Sequence, residues 1–411
     1  MKTTETVKIL KIKAMMWLII AIIMLAALIS RCAQDEVSGV NNFDANAIGF
    51  EISAGKTRAN IVDLGYIQSD VNGFGIYATK GNPAAEFIGN KAYKYESGVW
   101  KWAAGNVMWP TDNTDYPVNF YAYYPKNSAS LTSPALTANY TIPASPAAQT
   151  DFLAASSLNV LARPASGNVN LAFKHILSKV DFKVITGAYV AVDVQSIAAK
   201  SVGAAGAFNF ANLSWLGAPA AFGSSFSYMT APANPANYFE GATSGANVAG
   251  SSGSLMLMPQ DLSGRGWNDG KITSLPNKSY IEVVYRVKET GNNGKDVIGF
   301  SDATKHPDYT ALGGGVTGPL FIKAAYTLST NWQMSKAYTY SVQLGTTEAS
   351  GGILICDTFI DKNGNVTNLP VKDPNTGHEL EPEKPIIDNN KPIGFDVEVA
   401  DWGLPADYQL K

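Results

Sequence analysis

The sequence predicts an all-β fold, and three observations carry that expectation. Charged residues make up 16% of the chain, while aromatics reach 11%, with 19 Tyr and 17 Phe. Gly, Ala, Ser, Thr and Asn are abundant, so turn formers are plentiful. Short runs that alternate apolar with small or polar residues recur along the chain, each bounded by Gly, Pro, Asn or Asp. Few charges and many aromatics suit sheets better than helix bundles, and a period of two is the signature of a half-buried strand. Strands at this spacing, with turns between them, predict a β-sandwich.

The front of the chain reads as an export leader over residues 1–31. Lys2, Lys8, Lys11 and Lys13 precede an uncharged run from Ala14 to Ser30, too short to span a bilayer comfortably. Cys32 closes that run and is followed by Ala33-Gln34-Asp35-Glu36, which predicts lipoprotein processing with acylation of the thiol. Arg31 stands where such signals place a small residue, so an unlipidated cleaved leader and an uncleaved anchor remain the alternatives. Residues 32–46 are polar and read as a tether.

Ordered pattern begins at Ala47–Ile52, where Ile48, Phe50 and Ile52 alternate with small or polar positions. Strands are expected next at Phe74–Ala78, Gly98–Trp102, Val118–Pro125, Val169–His175 and Ser178–Ile185. The domain change is expected near Gly187, giving domains at 47–187 and 188–411. Residues 186–253 are low in charge, with a short strand expected around Phe208 and Phe210. Pattern resumes at Leu255–Gln260, Tyr280–Val287 and Lys336–Leu344, the last alternating strictly. Asn363-Gly364 predicts a hairpin turn within residues 351–366. A Pro-, Asp- and Asn-rich loop over 369–392 leads to a final strand, Ile393–Val399. No convincing helical period is present outside the leader.

Composition excludes several functions. With 31 basic and 34 acidic residues scattered along the chain, there is no electrostatic footprint for nucleic acid. Apart from Cys32 there is one cysteine, Cys356, so the mature chain has no intrachain disulfide; Cys356 lies in an apolar run and reads as a strand residue, not a nucleophile. His175, His306 and His378 are far apart and lack metal-ligand spacing. His175 is expected to be structural, its ring satisfied by backbone. No G-x-S-x-G elbow or phosphate loop occurs. Asp361-Lys362-Asn363-Gly364-Asn365 places oxygen donors at alternate positions, but lacks the downstream glutamate of an EF-hand and reads as a hairpin. Trp100, Trp102, Trp109, Tyr121, Tyr123 and Tyr124 are either core or an aromatic face for sugar rings. No catalytic residue, metal site or cofactor is assigned.

In its ordered pieces the sequence resembles the fimbrillin-like family of Bacteroidetes surface lipoproteins, the subunits of type V pili. The pieces are Ile48-Gly49-Phe50, Thr57-Arg58-Ala59, Phe74–Ala78, Trp109-Pro110, Phe120–Pro125, Asp151-Phe152-Leu153, Val169–Val180 and the closing Ile393–Trp402. The resemblance implies two transthyretin-like β-sandwiches in tandem and a subunit that is exported, acylated at Cys32 and placed on the outer membrane. It further implies that an arginine-specific protease cuts after Arg58, leaving Ala59 as the new N-terminus and freeing the Ala47–Ile52 strand. A C-terminal strand would then insert through Ile393, Phe395, Val397 and Val399. The partners implied are other fimbrial subunits, the membrane through the lipid anchor, and a host glycan or protein. The alternatives are a monomeric surface lipoprotein that binds host glycan or matrix protein, and an anchor or tip component.

Overall fold

The computed structural model describes residues 46–54, 64–187, 190–220, 222–230, 237–251, 253–265, 278–289, 296–298, 320–344, 352–360, 366–369 and 395–401. The first half supplies β1 (Gly49–Ala54), helix α1 (Leu64–Ser69), β2 (Phe74–Lys80), β3 (Ala85–Glu96), β4 (Val99–Trp102) and β5 (Val118–Tyr124). It continues with β6 (Thr137–Thr141), β7 (Leu153–Val160) and β8 (Asn168–His175). Apart from α1 and two 3-10 turns, these are strands, as the composition predicts.

All of them except β6 form a seven-stranded sheet in the order β1-β8-β7-β5-β2-β3-β4. Local chemistry explains the short connections. Ser97 and Gly98 both have positive φ, 57° and 84°, and join β3 to β4 in a two-residue turn whose twist suits a hairpin. The sheet rolls until its two ends meet. The Trp102 indole Nε1 donates to the carbonyl of Ile48 at 2.9 Å, the Ile48 N–H to Val107 O at 2.8 Å, and the Trp109 N–H to Asn46 O at 3.0 Å. The interior of this roll is an aromatic and aliphatic core that includes Phe50, Phe74, Trp100, Phe120 and Phe173.

β5 and β2 are buried on both faces. Phe120, Ala122 and Tyr124 point into the first core, while Tyr121 and Tyr123 enter a second one. That second core belongs to the rest of the chain. Its strands begin with β9 (Ser178–Thr186), β10 (Val190–Val202), β11 (Ala205–Asn209), β12 (Ser214–Ala220), β13 (Ser224–Thr230), β14 (Asn237–Glu240), β15 (Ala246–Asn247) and β16 (Leu255–Leu257). They end with β17 (Gln260–Asp261), β18 (Tyr280–Glu289), β19 (Asp296–Ile298), β20 (Leu320–Thr327), β21 (Asn331–Trp332), β22 (Lys336–Leu344), β23 (Gly352–Ile360), β24 (Val366–Leu369) and β25 (Phe395–Asp401).

An eight-stranded sheet runs β13-β10-β18-β20-β23-β24, with β14 on β10 and β19 on β18. A five-stranded sheet runs β15-β9-β22-β25, with β16 also on β9. Val180, Phe182 and Tyr340 of the smaller sheet share one core with Val192, Val283 and Tyr326 of the larger. The strict alternation expected for residues 336–344 shows as alternate burial along β22. A three-stranded sheet, β12-β11-β6, covers the Tyr123 side of β5, with Phe210 in edge contact with Tyr123 at 6.0 Å.

Several expected strands agree with the structure, and the β23–β24 pair is the hairpin expected around Asn363-Gly364, whose turn residues lie outside the described set. β3, β7 and β20 were not expected. The low-charge stretch after Gly187 holds β10, a thirteen-residue strand bonded to β13, β14 and β18. Ala, Ser and Gln among its valines blur the period of two, yet Val192, Val194, Ile197 and Ala199 are fully buried. Helix α1 is a single six-residue element that buries Ile67, too short for a period of 3.6 to show in the sequence.

Strands on either side of Gly187 pair across it: β6 with β11, and β9 with β15, β16 and β22. The chain crosses from one core to the other a little earlier. Phe173 is in the first core, Ile176 and Leu177 are in the second, and β9 starts at Ser178.

Candidate functional site

β1 is the terminal strand of its sheet. It lies parallel to β8, in a register that runs from Gly49 opposite Asn168 to Ala54 opposite Phe173. Ile48, Phe50 and Ile52 are 1%, 4% and 2% exposed, while Ser53 faces solvent. The Phe50 ring sits in a cage of edge contacts, 5.0 Å from Tyr93, 5.7 Å from Trp102 and 5.6 Å from Phe120. Edge-to-face geometry sets ring edges against π-faces and adds to the gain from burying the ring. Burial pushes the Tyr93 hydroxyl up to about 12, partly offset by a hydrogen bond to the Phe50 backbone.

On its far side, β8 meets β7 through Leu153 opposite His175 and Ala154 opposite Lys174. From Asn168 to Phe173, β8 takes its ladder from β1. Gly49 has a steric reason to be glycine: a Cβ there would overlap the Asn168 side-chain oxygen. Without β1 this stretch of β8 would be an unpaired edge, which templates any strand that can complete it. β1 is therefore held by one ladder, a short closure at residues 46–48 and three apolar side chains.

The chain leaves β1 at Ala54 and re-enters described structure at Leu64. Arg58 and Ala59 lie between these points, outside the described residues, and so does Cys32. Helix α1, immediately downstream, packs Tyr66 in edge contact with Tyr124 at 6.4 Å.

The other predicted strand, β25, is the edge of the five-stranded sheet and pairs antiparallel with β22 of its own chain. Phe395 lies opposite Val342, Val397 opposite Tyr340 and Val399 opposite Tyr338. Lys336 forms an ion pair with Asp401, and Lys183 pairs with Glu398 at 3.3 Å. Val399 is 50% exposed. Ile393 is outside the described residues.

The aromatic group considered for sugar stacking is core. Trp100, Trp102, Trp109, Tyr121, Tyr123 and Tyr124 are all at most 6% exposed, so none presents a face to a ligand. Two of the indoles are bonded internally: Trp109 Nε1 donates to Gly167 O at 3.0 Å, as Trp102 Nε1 does to Ile48 O. The alternation in the sequence suggested one buried face; the second is covered by the β6–β11–β12 sheet and its neighbours.

His175 is buried, and its partner is a side chain instead of the expected backbone. Its Nδ1 lies 2.6 Å from Asp151 Oδ2, and both side chains are buried. The pair joins the start of β7 to the end of β8, where the chain crosses between cores. Around it, Ile176 N–H donates to Phe152 O, Trp215 Nε1 donates to Ile176 O at 2.7 Å, and Ser335 N–H donates to Leu177 O. Residues from both halves thus clamp this crossing. Asp151 opens the Asp151-Phe152-Leu153 piece, and nothing in its spacing signals the histidine 24 residues on.

No group of three or more potential metal ligands occurs among the described residues. The Asp361–Asn365 segment lies outside them. Cys356 is in β23, on the Lys323 side of a register shift. No helix among the described residues is long and apolar enough to cross a membrane.

A protein-family model described as fimbrillin-like matches residues 57–357. The chain belongs to the fimbrillin-like family. The matched region starts just after β1 and stops before β25, so the two strands considered above flank the family's shared body. No curated protein matches the sequence. Among solved structures, a fimbrial protein from Bacteroides vulgatus is 13% identical, with 79% of this chain and 99% of that chain aligned at a TM-score of 0.53. That likeness shows a shared fold. The tip fimbrial protein Mfa3 from Porphyromonas gingivalis, in a C-terminally truncated form, is 11% identical over 82% of this chain and 96% of that one, at a TM-score of 0.35. Membership of the family points to a structural role.

Proposed function

We propose that this fimbrillin-like protein is a fimbrial subunit of the cell surface, exported as a lipoprotein through Cys32 and assembled by strand exchange. A cut after Arg58 frees β1, and the C-terminal strand of the next subunit takes its place. The observation that carries this reading is the position of β1: a terminal strand whose apolar side chains complete a core and whose ladder is the main support of β8 between Asn168 and Phe173. Loss of β1 opens a groove with unpaired backbone on one wall and an empty Phe50 cage at its floor, the requirement for β-augmentation. That the two cores belong to two transthyretin-like sandwiches in tandem is part of the same proposal, with the crossing between them just before β9 and not at Gly187.

The test is mass spectrometry of the N-terminus of protein from native envelopes, beside an unboiled gel. A chain that starts at Ala59 in a high-mass ladder is the expected result. A chain that keeps acylated Cys32 and runs as a single band overturns it.

One observation favours a second reading, an anchor or stand-alone surface lipoprotein that binds a host glycan or protein. β25 completes its own chain's sheet through β22 and two ion pairs, as a strand with no outside role would. The burial of the six aromatics removes that reading's candidate sugar platform.

A further inference from the structure

The seven-stranded sheet closes unevenly along β1. At the start of the strand both edges of the backbone are bonded. On the β8 side the Gly49 N–H donates to Gly167 O at 3.2 Å. On the opposite side the Ile48 N–H donates to Val107 O at 2.8 Å, Asn46 O accepts from the Trp109 N–H at 3.0 Å, and Ala47 bridges to Met108. Side chains reinforce this end. The Trp102 indole holds Ile48 O at 2.9 Å, and Arg163 Nη1 donates to Asn46 Oδ1 at 3.3 Å. The Trp109 indole ties the two walls together by donating to Gly167 O at 3.0 Å.

The other end is open. From Glu51 to Ala54 the only strand paired with β1 among the described residues is β8, in a register that runs from Glu51 opposite Asn170 to Ala54 opposite Phe173. Helix α1 passes close to β1 but shares no backbone hydrogen bond with it among the described residues. Ser53 faces solvent. This open end is the one that leads on to Arg58.

We propose that β1 is a one-way latch, with residues 46–49 as its locked end and residues 51–54 as the end that opens first. A cut after Arg58 then frees the chain on the side that yields. The proposal rests on the strand-exchange reading above and adds the order in which the site opens. Local opening costs least where the fewest bonds and the least buried surface are lost. Opening from Ala54 backwards breaks one ladder and uncovers β8 from Phe173 towards Asn168. An incoming strand can pair with that stretch while Phe50 is still in its cage, so the core is never emptied all at once. Opening from Asn46 forwards would break bonds on both edges together.

Hydrogen exchange at single-residue resolution, on the full-length uncut chain, reads the order. Bonding alternates along a strand, so the N–H groups of Gly49, Glu51 and Ser53 all face β8 and differ only in their place along it. Protection should fall from Gly49 through Glu51 to Ser53, with a difference of about tenfold or more between the ends. Trp102→Phe removes the donor to Ile48 O, and should lower the protection of Gly49 about fivefold while leaving Ser53 within about twofold. Equal protection along β1, or least protection at Gly49, overturns the latch. So does a Trp102→Phe chain in which all three amides lose protection equally, because the strand then opens as one unit. The measurement needs no polymer. Graded protection without a high-mass ladder on envelopes keeps the latch and sinks strand exchange; a ladder with flat protection does the reverse.

Discussion

The Trp102 indole N–H donates to the carbonyl oxygen of Ile48 at 2.9 Å, joining the last strand of the seven-stranded sheet to the residue before its first. Trp102 also packs edge-on against Phe50 at 5.7 Å. One side chain thus holds β1 by its backbone and by its apolar anchor. Trp102→Phe keeps a ring in the cage but leaves a buried carbonyl without this donor, and should lower the stability of the uncleaved protein by about 1–2 kcal/mol. Urea unfolding followed by fluorescence measures the shift, and no change in midpoint would count against the role given to Trp102.

Phe50→Ala empties the cage formed by Tyr93, Trp102 and Phe120. Truncating a buried phenylalanine costs roughly 3–5 kcal/mol, and this one anchors a terminal strand. The loss should appear as a lower thermal midpoint and as faster proteolysis of the segment containing β1, detected by mass spectrometry of the fragments.

Gly49→Val forces the Asn168 side chain out of its buried position. Overpacking of this size costs about 1–3 kcal/mol. Asn168→Ala added to Gly49→Val should recover most of that loss, a coupling that a double-mutant cycle reads directly. Independent, additive effects would show that the two residues do not compete for the same space.

Asp151→Ala removes the carboxylate that holds His175 Nδ1 at 2.6 Å, in a site where both side chains are buried. Breaking a buried pair by deleting one member costs roughly 3 kcal/mol or more. Because the pair braces the crossing between the cores, the variant should also speed amide exchange at Ile176 and Leu177 more than at Ile76. Uniform exchange would place the damage elsewhere.

Burial pushes the Tyr93 and Tyr123 hydroxyls up from 10.0 to about 12. Below about pH 10 these phenols are protonated in both states, and their contribution is complete. Between about 10 and 12 the unfolded chain releases protons that the folded chain retains, so stability falls as pH rises, by roughly 2–3 kcal/mol for each tyrosine. Alkaline unfolding monitored by tyrosinate absorbance should be cooperative, with midpoint raised in Tyr93→Phe. An unchanged midpoint would mean that Tyr93 does not drive the transition.

The candidate site was partly legible in the residues. The alternation of Ile48, Phe50 and Ile52 marked a half-buried strand, and glycine, proline and asparagine marked where strands stop, because both signals are local. The reason for glycine at position 49 was not legible, because the Asn168 side chain reaches it from a strand more than a hundred residues away. The partner of His175 was hidden for the same reason: Asp151 becomes its neighbour only once β7 and β8 pair.

From the sequence alone came the all-β class, the position of many strands and the absence of any motif for catalysis, since these follow from composition and from a period that the backbone imposes residue by residue. Tertiary structure decided which strands neighbour each other. β1 runs parallel to β8 and β9 parallel to β22, and neither pairing has a hairpin turn to announce it. It also decided that β5 is covered on both faces, turning Tyr121 and Tyr123 from a surface into core. Those choices depend on which apolar faces can be closed together around a common interior, a condition on the whole chain that no local pattern encodes.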